Sequence, residues 1–296
     1  MTVAAPGDIV AGTYVVTGAA SGIGHAVADR LRTDGHTVIG VDLRDAEIIA
    51  DLSSASGRRD AVAAVLERSG GRLDGAVLAA GLGPAKGRER LIAEVNVLGV
   101  TDLLEGLRSA LAAAGNAKVV VIGSNSTTTT PLVPRRAVRR LHDGDLDRAV
   151  RQIRRRIGLS APVAYAASKL AVSMWCRERA VADEWAGAGI RLNVIAPGPV
   201  LTPLLRAQLD SSTGKQVRSF PVPIRQYGTP GQFADWIALM LSPSADFLVG
   251  GVITIDGGTD ALLRPDAWPR RMRLRSVPRM LWTMYRAPRD GRVAQY

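Results

Sequence analysis

Thr13-Tyr14-Val15-Val16-Thr17-Gly18-Ala19-Ala20-Ser21-Gly22-Ile23-Gly24 is a β-branched run that ends in glycines spaced Gly-x-x-x-Gly-x-Gly. The run reads as a short buried strand over 13–17, and the glycines open a helix over 23–33. Strand, glycine turn and helix in that order predict a crossover unit. Backbone N–H groups of such a turn can approach a pyrophosphate, and the helix N-terminus adds a favourable dipole. Alone the cluster is a weak signal, but the alternation continues downstream. Strands expected at 38–41, 75–79, 119–122, 191–195 and 252–255 alternate with helices at 57–69, 91–114, 165–186 and 231–241. This predicts an α/β fold of Rossmann type, a doubly wound parallel sheet covered on both faces. With no internal repeat and no low-complexity linker, the chain reads as one domain over 1–264, with a helical insertion at 132–158 and a basic extension over 265–296.

Composition narrows the classes. The 296 residues are 47% apolar, as expected of a globular protein with a sizeable core. No apolar run approaches the roughly 18 residues of a membrane span, and the N-terminus lacks a basic region followed by an apolar stretch, so a cytoplasmic location is expected. The one cysteine, Cys176, excludes an intrachain disulfide and reads as a core thiol. Three scattered histidines and no His/Cys cluster predict no protein-built metal site. The net charge of +11 resolves into +6 over 135–156 and +7 over 264–296, with −2 on everything else. The basic character belongs to two local additions, which argues against nucleic acid as the partner of the core.

Two further features give the glycine turn a meaning. Asp42 ends the second strand, where a carboxylate can grip a ribose diol and repel a 2′-phosphate, favouring NAD over NADP; Arg44 is the residue that would reverse this. Tyr165-Ala166-Ala167-Ser168-Lys169 sets a phenol and an ammonium four residues apart, on one face of a helix. The ammonium is expected to favour the ionised phenol and make it a general acid or base near neutral pH.

Taken with Asp51-Leu52, Ala80-Gly81, Asn96-x-x-Gly99, residues 119–124, residues 193–200 and Asp256-Gly257-Gly258, these motifs resemble the short-chain dehydrogenase/reductase family over roughly residues 10–264. Within it the likeness is strongest to bacterial 3α-hydroxysteroid dehydrogenase/carbonyl reductases. They share Val41-Asp42-Leu43-Arg44-Asp45-Ala46-Glu47, Ala80-Gly81-Leu82-Gly83-Pro84, residues 255–265 and a long insertion between serine and tyrosine. The resemblance implies Tyr165 as acid/base, with Lys169 lowering its pKa and bonding the nicotinamide ribose. It implies Ser124 on the substrate oxygen, with Ser126 as the alternative, and Asn96 holding a water that links Lys169 to solvent. It places NAD on Gly18, Ser21, Gly22, Ile23 and Gly24, on Asp42 and Leu43, on Asp51 and Leu52 at the adenine, and on Ala80 and Gly81 at its ribose. Pro197, Gly198, Val200 and Thr202 would close over the nicotinamide. One departure is Leu78-Ala79-Ala80-Gly81, which lacks the bracing amide of the usual Asn-Asn-Ala-Gly. The implied activity is NAD-dependent interconversion of a secondary alcohol and a ketone on an apolar cyclic substrate, a 3α-hydroxysteroid. The alternatives are a dehydrogenase of terpenoid or alicyclic alcohols, and a non-catalytic member that senses NAD or binds nucleic acid.

The two additions carry expectations of their own. Leu146, Ala149, Val150, Ile153 and Ile157 recur at helical spacing among arginines, predicting an amphipathic helix that acts as a solvated edge, a substrate lid or a changed subunit contact. Family members commonly pair near this region, so the insertion favours a homodimer over their usual tetramer. Leu204, Leu205, Leu209, Val217, Phe220, Val222 and Ile224 make residues 203–226 an apolar substrate loop. The extension mixes Trp268, Met272, Leu274, Met280, Leu281, Trp282, Met284 and Tyr285 with arginines and with Pro269, Pro278 and Pro288. It predicts short pieces that touch a membrane surface or another subunit.

Overall fold

The first strand forms as read, and its neighbours show why it sits at the centre. The structure, a computed structural model, describes residues 11–210, 214–267 and 274–285. Trp268, Pro269, Met272 and Pro288 of the extension lie outside the described residues. In chain order come β1 (Thr13–Thr17), α1 (Gly22–Thr33), β2 (Thr37–Asp42), β3 (Ile48–Ile49), α2 (Ala55–Arg68) and β4 (Gly75–Leu78). Then follow α3 (Glu89–Ala93), a π-turn over Glu94–Leu98, α4 (Gly99–Ala112), β5 (Lys118–Ile122), α5 (Ser126–Thr129), α6 (Arg135–His142) and α7 (Leu146–Arg154). The series ends with α8 (Ser160–Arg179), β6 (Arg191–Pro197), α9 (Pro203–Leu209), α10 (Gly214–Arg218), α11 (Pro230–Leu241), β7 (Val252–Ile255), α12 (Thr259–Leu263) and α13 (Val277–Tyr285).

Seven parallel strands stand in the order β3-β2-β1-β4-β5-β6-β7. The order reverses at β1, so the crevice beyond the carboxyl ends of β1 and β4 is the topological switch point where this class binds ligands. Both faces of the sheet are buried, which is why the strands read as continuous apolar runs. Val15, Leu78, Val119 and Val121 face one cluster, with α2, α4 and α8 over it. Val16, Val77, Val120 and Ile122 face the other, against α1 and α11. Cys176 is buried in the first cluster, and burial pushes its thiol far up, so it is a core residue without nucleophilic character.

Three elements differ from expectation. The helix expected over 91–114 is broken, because the π-turn at Glu94–Leu98 resets the face that α4 presents after α3. The helix expected over 165–186 starts earlier, at Ser160, and stops at Arg179. Ala182 is extended there, and a separate turn, Asp183–Gly187, follows. In the insertion the helix ends at Arg154, and Ile157 is 93% exposed, so it lies off the apolar face that Leu146, Ala149, Val150 and Ile153 bury. Sequence reading also missed α6, whose Ala137, Val138 and Leu141 are buried.

The insertion is no lid in this structure: none of residues 132–158 lines the cavity described below. Instead α6 packs on α8, and α7 on α3 and α8. His142 Nε2 meets Glu178 at 3.0 Å, and Arg90 of α3 pairs with Asp147 of α7.

Candidate active site

A cavity of about 800 Å³ opens at the carboxyl ends of the strands. Its first wall is the glycine turn. Gly18 and Gly22 take φ of +71° and +60°, conformations that cost a residue with a Cβ. A Cβ on Gly18 would stand 2.8 Å from the Ala80 nitrogen, and one on Gly24 would collide with the Gly18 carbonyl oxygen. These contacts let α1 sit tightly against β1 and β4. Ser21 is the extended N-cap of α1 and its side chain makes no capping bond, which leaves first-turn N–H groups of the helix for another acceptor. Ile23 also lines this wall.

At the end of β2, Asp42 is held by the turn itself: one carboxylate oxygen accepts from Ala20 N at 3.0 Å, the other from Leu43 N at 2.6 Å. Leu43 lines the cavity beside it while Arg44 does not, its guanidinium lying 3.9 Å from Asp45. Asp51 accepts from Ser53 N at 2.9 Å, and hydrogen bonds from Ser53 hold its carboxyl below the usual range. Leu52 is fixed from behind by Arg58, which nothing in its local pattern singles out. Its Nη1 reaches the carbonyls of Leu52 and Ser53, each at 3.0 Å, and its Nε reaches Asp102 at 2.8 Å.

The third wall brings together residues far apart in the chain. Ser124 follows β5, and Tyr165 and Lys169 lie on α8. Burial pushes the Tyr165 phenol above its ordinary value, and a hydrogen bond with Ser124 pulls it back part of the way. The expected lowering of Tyr165 by Lys169 is not what the structure gives. Lys169 donates to the Ile122 carbonyl at 2.7 Å, and burial pushes it down to about 8. Ser126, the alternative serine, also lines the cavity, and its hydroxyl oxygen is buried with no hydrogen-bond partner.

Asn96 alone among the predicted site residues does not line the cavity. Wholly buried in the π-turn, it accepts from Leu82 N at 2.8 Å and donates to Leu82 O at 3.0 Å and to Ser168 Oγ at 3.1 Å. Ser168 in turn donates to the Tyr165 carbonyl at 2.8 Å. Asn96 thereby ties the loop that follows β4, at Leu82, to the tyrosine-bearing helix. Ser168, which sequence reading passed over, is the link. A Cβ on Gly81 would face both Asn96 Oδ1, at 3.2 Å, and Lys169 Nζ, at 3.4 Å.

Pro197, Gly198, Val200 and Thr202 close the far side. Asn125 N donates to the Pro197 carbonyl at 2.9 Å, so the segment after β6 is pinned to the residue after Ser124. The Thr202 hydroxyl accepts from Leu205 N at 3.3 Å and caps α9, while its methyl would lie 3.2 Å from a Cβ on Gly22. Leu204, Leu205, Val217 and Phe220 complete an apolar wall; Leu209, Val222 and Ile224 of the expected substrate loop do not reach it.

Residues 13–133 match the family model described as short chain dehydrogenase, and residues 149–260 the one described as enoyl-(acyl carrier protein) reductase. The chain is 39% identical over 252 residues to the 3-alpha-hydroxysteroid dehydrogenase/carbonyl reductase of Comamonas testosteroni, covering 85% of this chain and 97% of that protein. It is 32% identical over 256 residues to the coniferyl-alcohol dehydrogenase of Pseudomonas sp. (strain HR199 / DSM 7063), covering 82% of this chain and 94% of the relative. The crystal structure of the 3-alpha-hydroxysteroid dehydrogenase from Pseudomonas sp. B-0831 complexed with NADH superposes with a TM-score of 0.81 at 42% identity, over 86% of this chain and 100% of that one.

Proposed function

Because this chain belongs to the short-chain dehydrogenase/reductase family, we propose that it is an NAD-dependent oxidoreductase interconverting a secondary alcohol and a ketone on an apolar cyclic substrate, a 3α-hydroxysteroid. The observation that carries this reading is that Tyr165, Lys169 and Ser124 line one cavity together with the glycine turn and the apolar side chains Leu204, Leu205, Val217 and Phe220. The relative at 39% identity and the solved structure at 42% identity are named for 3α-hydroxysteroids, and the latter holds NADH.

The residues fit the cofactor. The uncapped start of α1 and the left-handed Gly18 and Gly22 suit a pyrophosphate, and Ser21, Ile23 and Gly24 belong to that cradle. Asp42 offers its carboxylate to the adenosine ribose, and Leu43, Asp51 and Leu52 border the adenine. Ala80 and Gly81 follow on its ribose, and Pro197, Gly198, Val200 and Thr202 cover the nicotinamide end. Arg44, turned toward Asp45, leaves the preference for NAD over NADP intact. When bound, the nicotinamide supplies two-electron exchange with the carbinol carbon.

The chain's own residues handle the proton and the oxygen. In oxidation the Tyr165 phenolate takes the hydroxyl proton while Ser124 donates to the forming carbonyl oxygen; in reduction Tyr165 gives the proton back. Lys169 holds a positive charge behind the site below about pH 8 and bonds the nicotinamide ribose. Asn96 acts as a positioning residue through Ser168 and Leu82. The test is NADH formation across 3α-, 3β-, 17β- and 20-hydroxysteroids beside simple alicyclic alcohols, with NADP as control. Turnover confined to the alicyclic set would replace the steroid reading with the terpenoid or alicyclic one. Binding of NAD without turnover of any alcohol would favour a sensor.

The catalytic unit in this proposal is residues 1–264, acting as a homodimer. Helices α6 and α7 cover α8 and α3. Among the described residues no further strand pairs with β7, and Trp236 and Leu239 of α11 are exposed, with Phe247 fully exposed just before the strand. No described helix is long and apolar enough to cross a membrane. Val277, Met280, Leu281, Met284 and Tyr285 form one stripe of α13, and residues 264–296 hold nine arginines. That pairing supports peripheral contact with an anionic membrane surface. Equal sedimentation of the full chain and of residues 1–264 with anionic liposomes would dismiss it.

A further inference from the structure

The carboxylates of the insertion are all engaged: Asp143 by His142 at 3.0 Å, Asp145 by Arg148 at 3.4 Å, and Asp147 by Arg90 of α3. Most of its arginines are not. Arg135, Arg136 and Arg139 on α6, Arg151 on α7, and Arg155 and Arg156 just after it are exposed, and none has a hydrogen-bond or ion-pair partner among the described residues. They are left on the outward side because the inward side of each helix is taken by buried aliphatic residues, Val138 and Leu141 of α6 and Val150 and Ile153 of α7 among them. Apolar side chains stand among these cations. Ile157 follows Arg156 and is almost wholly exposed, Leu159 is exposed next but one, and Leu132 is exposed just before α6. This edge adjoins the mouth of the cavity at both ends of the insertion. Thr130, just before Leu132, and Pro162, one turn after Leu159, both line the cavity.

We propose that this edge of the insertion docks on an anionic bilayer with the cavity mouth beside the lipid, so that an apolar alcohol enters the site from the membrane. The docking depends neither on the extension nor on the oxidoreductase reading above; the delivery of substrate rests on that reading. Guanidinium groups gain from anionic headgroups, while Ile157, Leu159 and Leu132 gain by leaving water, and a bilayer surface is where both gains are made together. A second copy of this chain is a poor occupant, since pairing the edge with itself brings unbalanced cations face to face. Nucleic acid is a poor occupant too. Residues 131–160 hold no Phe, Trp or Tyr on which a base could stack, and exposed aliphatic tips gain nothing from phosphates.

The test uses the full chain with Ile157→Cys carrying an environment-sensitive fluorophore; Cys176 is buried and leaves the label to the new thiol. A second label on Glu67→Cys is the control, exposed in the last turn of α2, which ends where the chain turns back to begin β4 at the sheet edge opposite the cavity. The label at 157 is expected to shift to the blue with phosphatidylglycerol vesicles and not with phosphatidylcholine vesicles, and the control label to stay unmoved. Arg155→Gln with Arg156→Gln should raise the vesicle concentration needed by about 25-fold, roughly fivefold for each arginine, with Tm unchanged. In that variant kcat/KM for a 3α-hydroxysteroid carried in the vesicles should fall, while for the same steroid in free solution it stays within about twofold. No shift at 157 with vesicles that the full chain still binds would overturn the proposal and leave the contact to the extension. Equal shifts at both labels, or with both lipids, would overturn it as unoriented adsorption. A shift with duplex DNA, or on raising the protein concentration without vesicles, would overturn it in favour of nucleic acid or of a second copy. A lipid-specific shift in a protein that turns over no alcohol sustains the docking while removing the oxidoreductase reading, and turnover from vesicles that the arginine variant leaves unchanged removes the delivery.

Discussion

A phenol that burial pushes above its ordinary value carries its proton throughout the neutral range, and Tyr165 is such a phenol. Giving that proton to a ketone needs no prior ionisation, whereas taking one from an alcohol does. Initial rates of oxidation should therefore climb from about pH 6 to about pH 9 while rates of reduction stay level up to about pH 8. There Lys169 begins to lose its charge. An inflection near that pH should vanish in Lys169→Arg, whose guanidinium stays protonated. Tyr165→Phe should lower kcat in both directions by roughly 10²- to 10⁴-fold. The two serines are separable by the same profiles. Ser124→Ala removes the bond that pulls Tyr165 down, so the oxidation limb should move to higher pH. Ser126→Ala, which removes an unpartnered hydroxyl, should lower kcat/KM without moving it. At this scale the sequence was informative about identity and less so about partners. The four-residue spacing of Tyr165 and Lys169 put them on one helix, yet that spacing carries nothing about the Ile122 carbonyl that claims the ammonium.

Elements are where the reading succeeded most evenly, because a glycine that must approach a backbone and a strand buried on both faces leave local marks. Gly24→Ala should abolish NAD binding, followed by thermal shift with and without NAD, since its Cβ collides with the Gly18 carbonyl oxygen. Gly231→Ala, in the first turn of α11 with nothing within 4 Å of a Cβ, should hold or raise Tm. The π-turn and α6 were not legible for opposite reasons. The first depends on Asn96 finding Leu82 and Ser168 across the fold, a tertiary choice. The second is a two-turn helix whose few apolar positions are surrounded by arginine. Arg58 is a third case, since an arginine on a helix reads as solvated until Asp102 and two carbonyls are seen around it. Leu141 of α6 is fully buried. Leu141→Ala should cost about 2–5 kcal/mol in urea unfolding and leave substrate KM unchanged, because the insertion packs on α8 without lining the cavity.

For the whole molecule, charge and assembly separate cleanly from catalysis. Its +11 sits on the insertion and the extension, so raising the salt concentration should weaken any liposome binding by the full chain while leaving alcohol turnover nearly constant. Phe247→Glu with Trp236→Glu should convert a dimer into a monomer by light scattering, if the β7 edge is the pairing face as proposed. Sheet order has a consequence for the chain while it is still being made. β1 pairs with β2 on one side and with β4 on the other, and every pair is parallel, so no hairpin can form as the first contact. During synthesis one side of β1 stays unpaired until Gly75–Leu78 has cleared the ribosome. The emerging N-terminal third therefore presents Tyr14, Val15 and Val16 as an open edge for the length of that wait, and this is the interval in which a holding chaperone has something to protect.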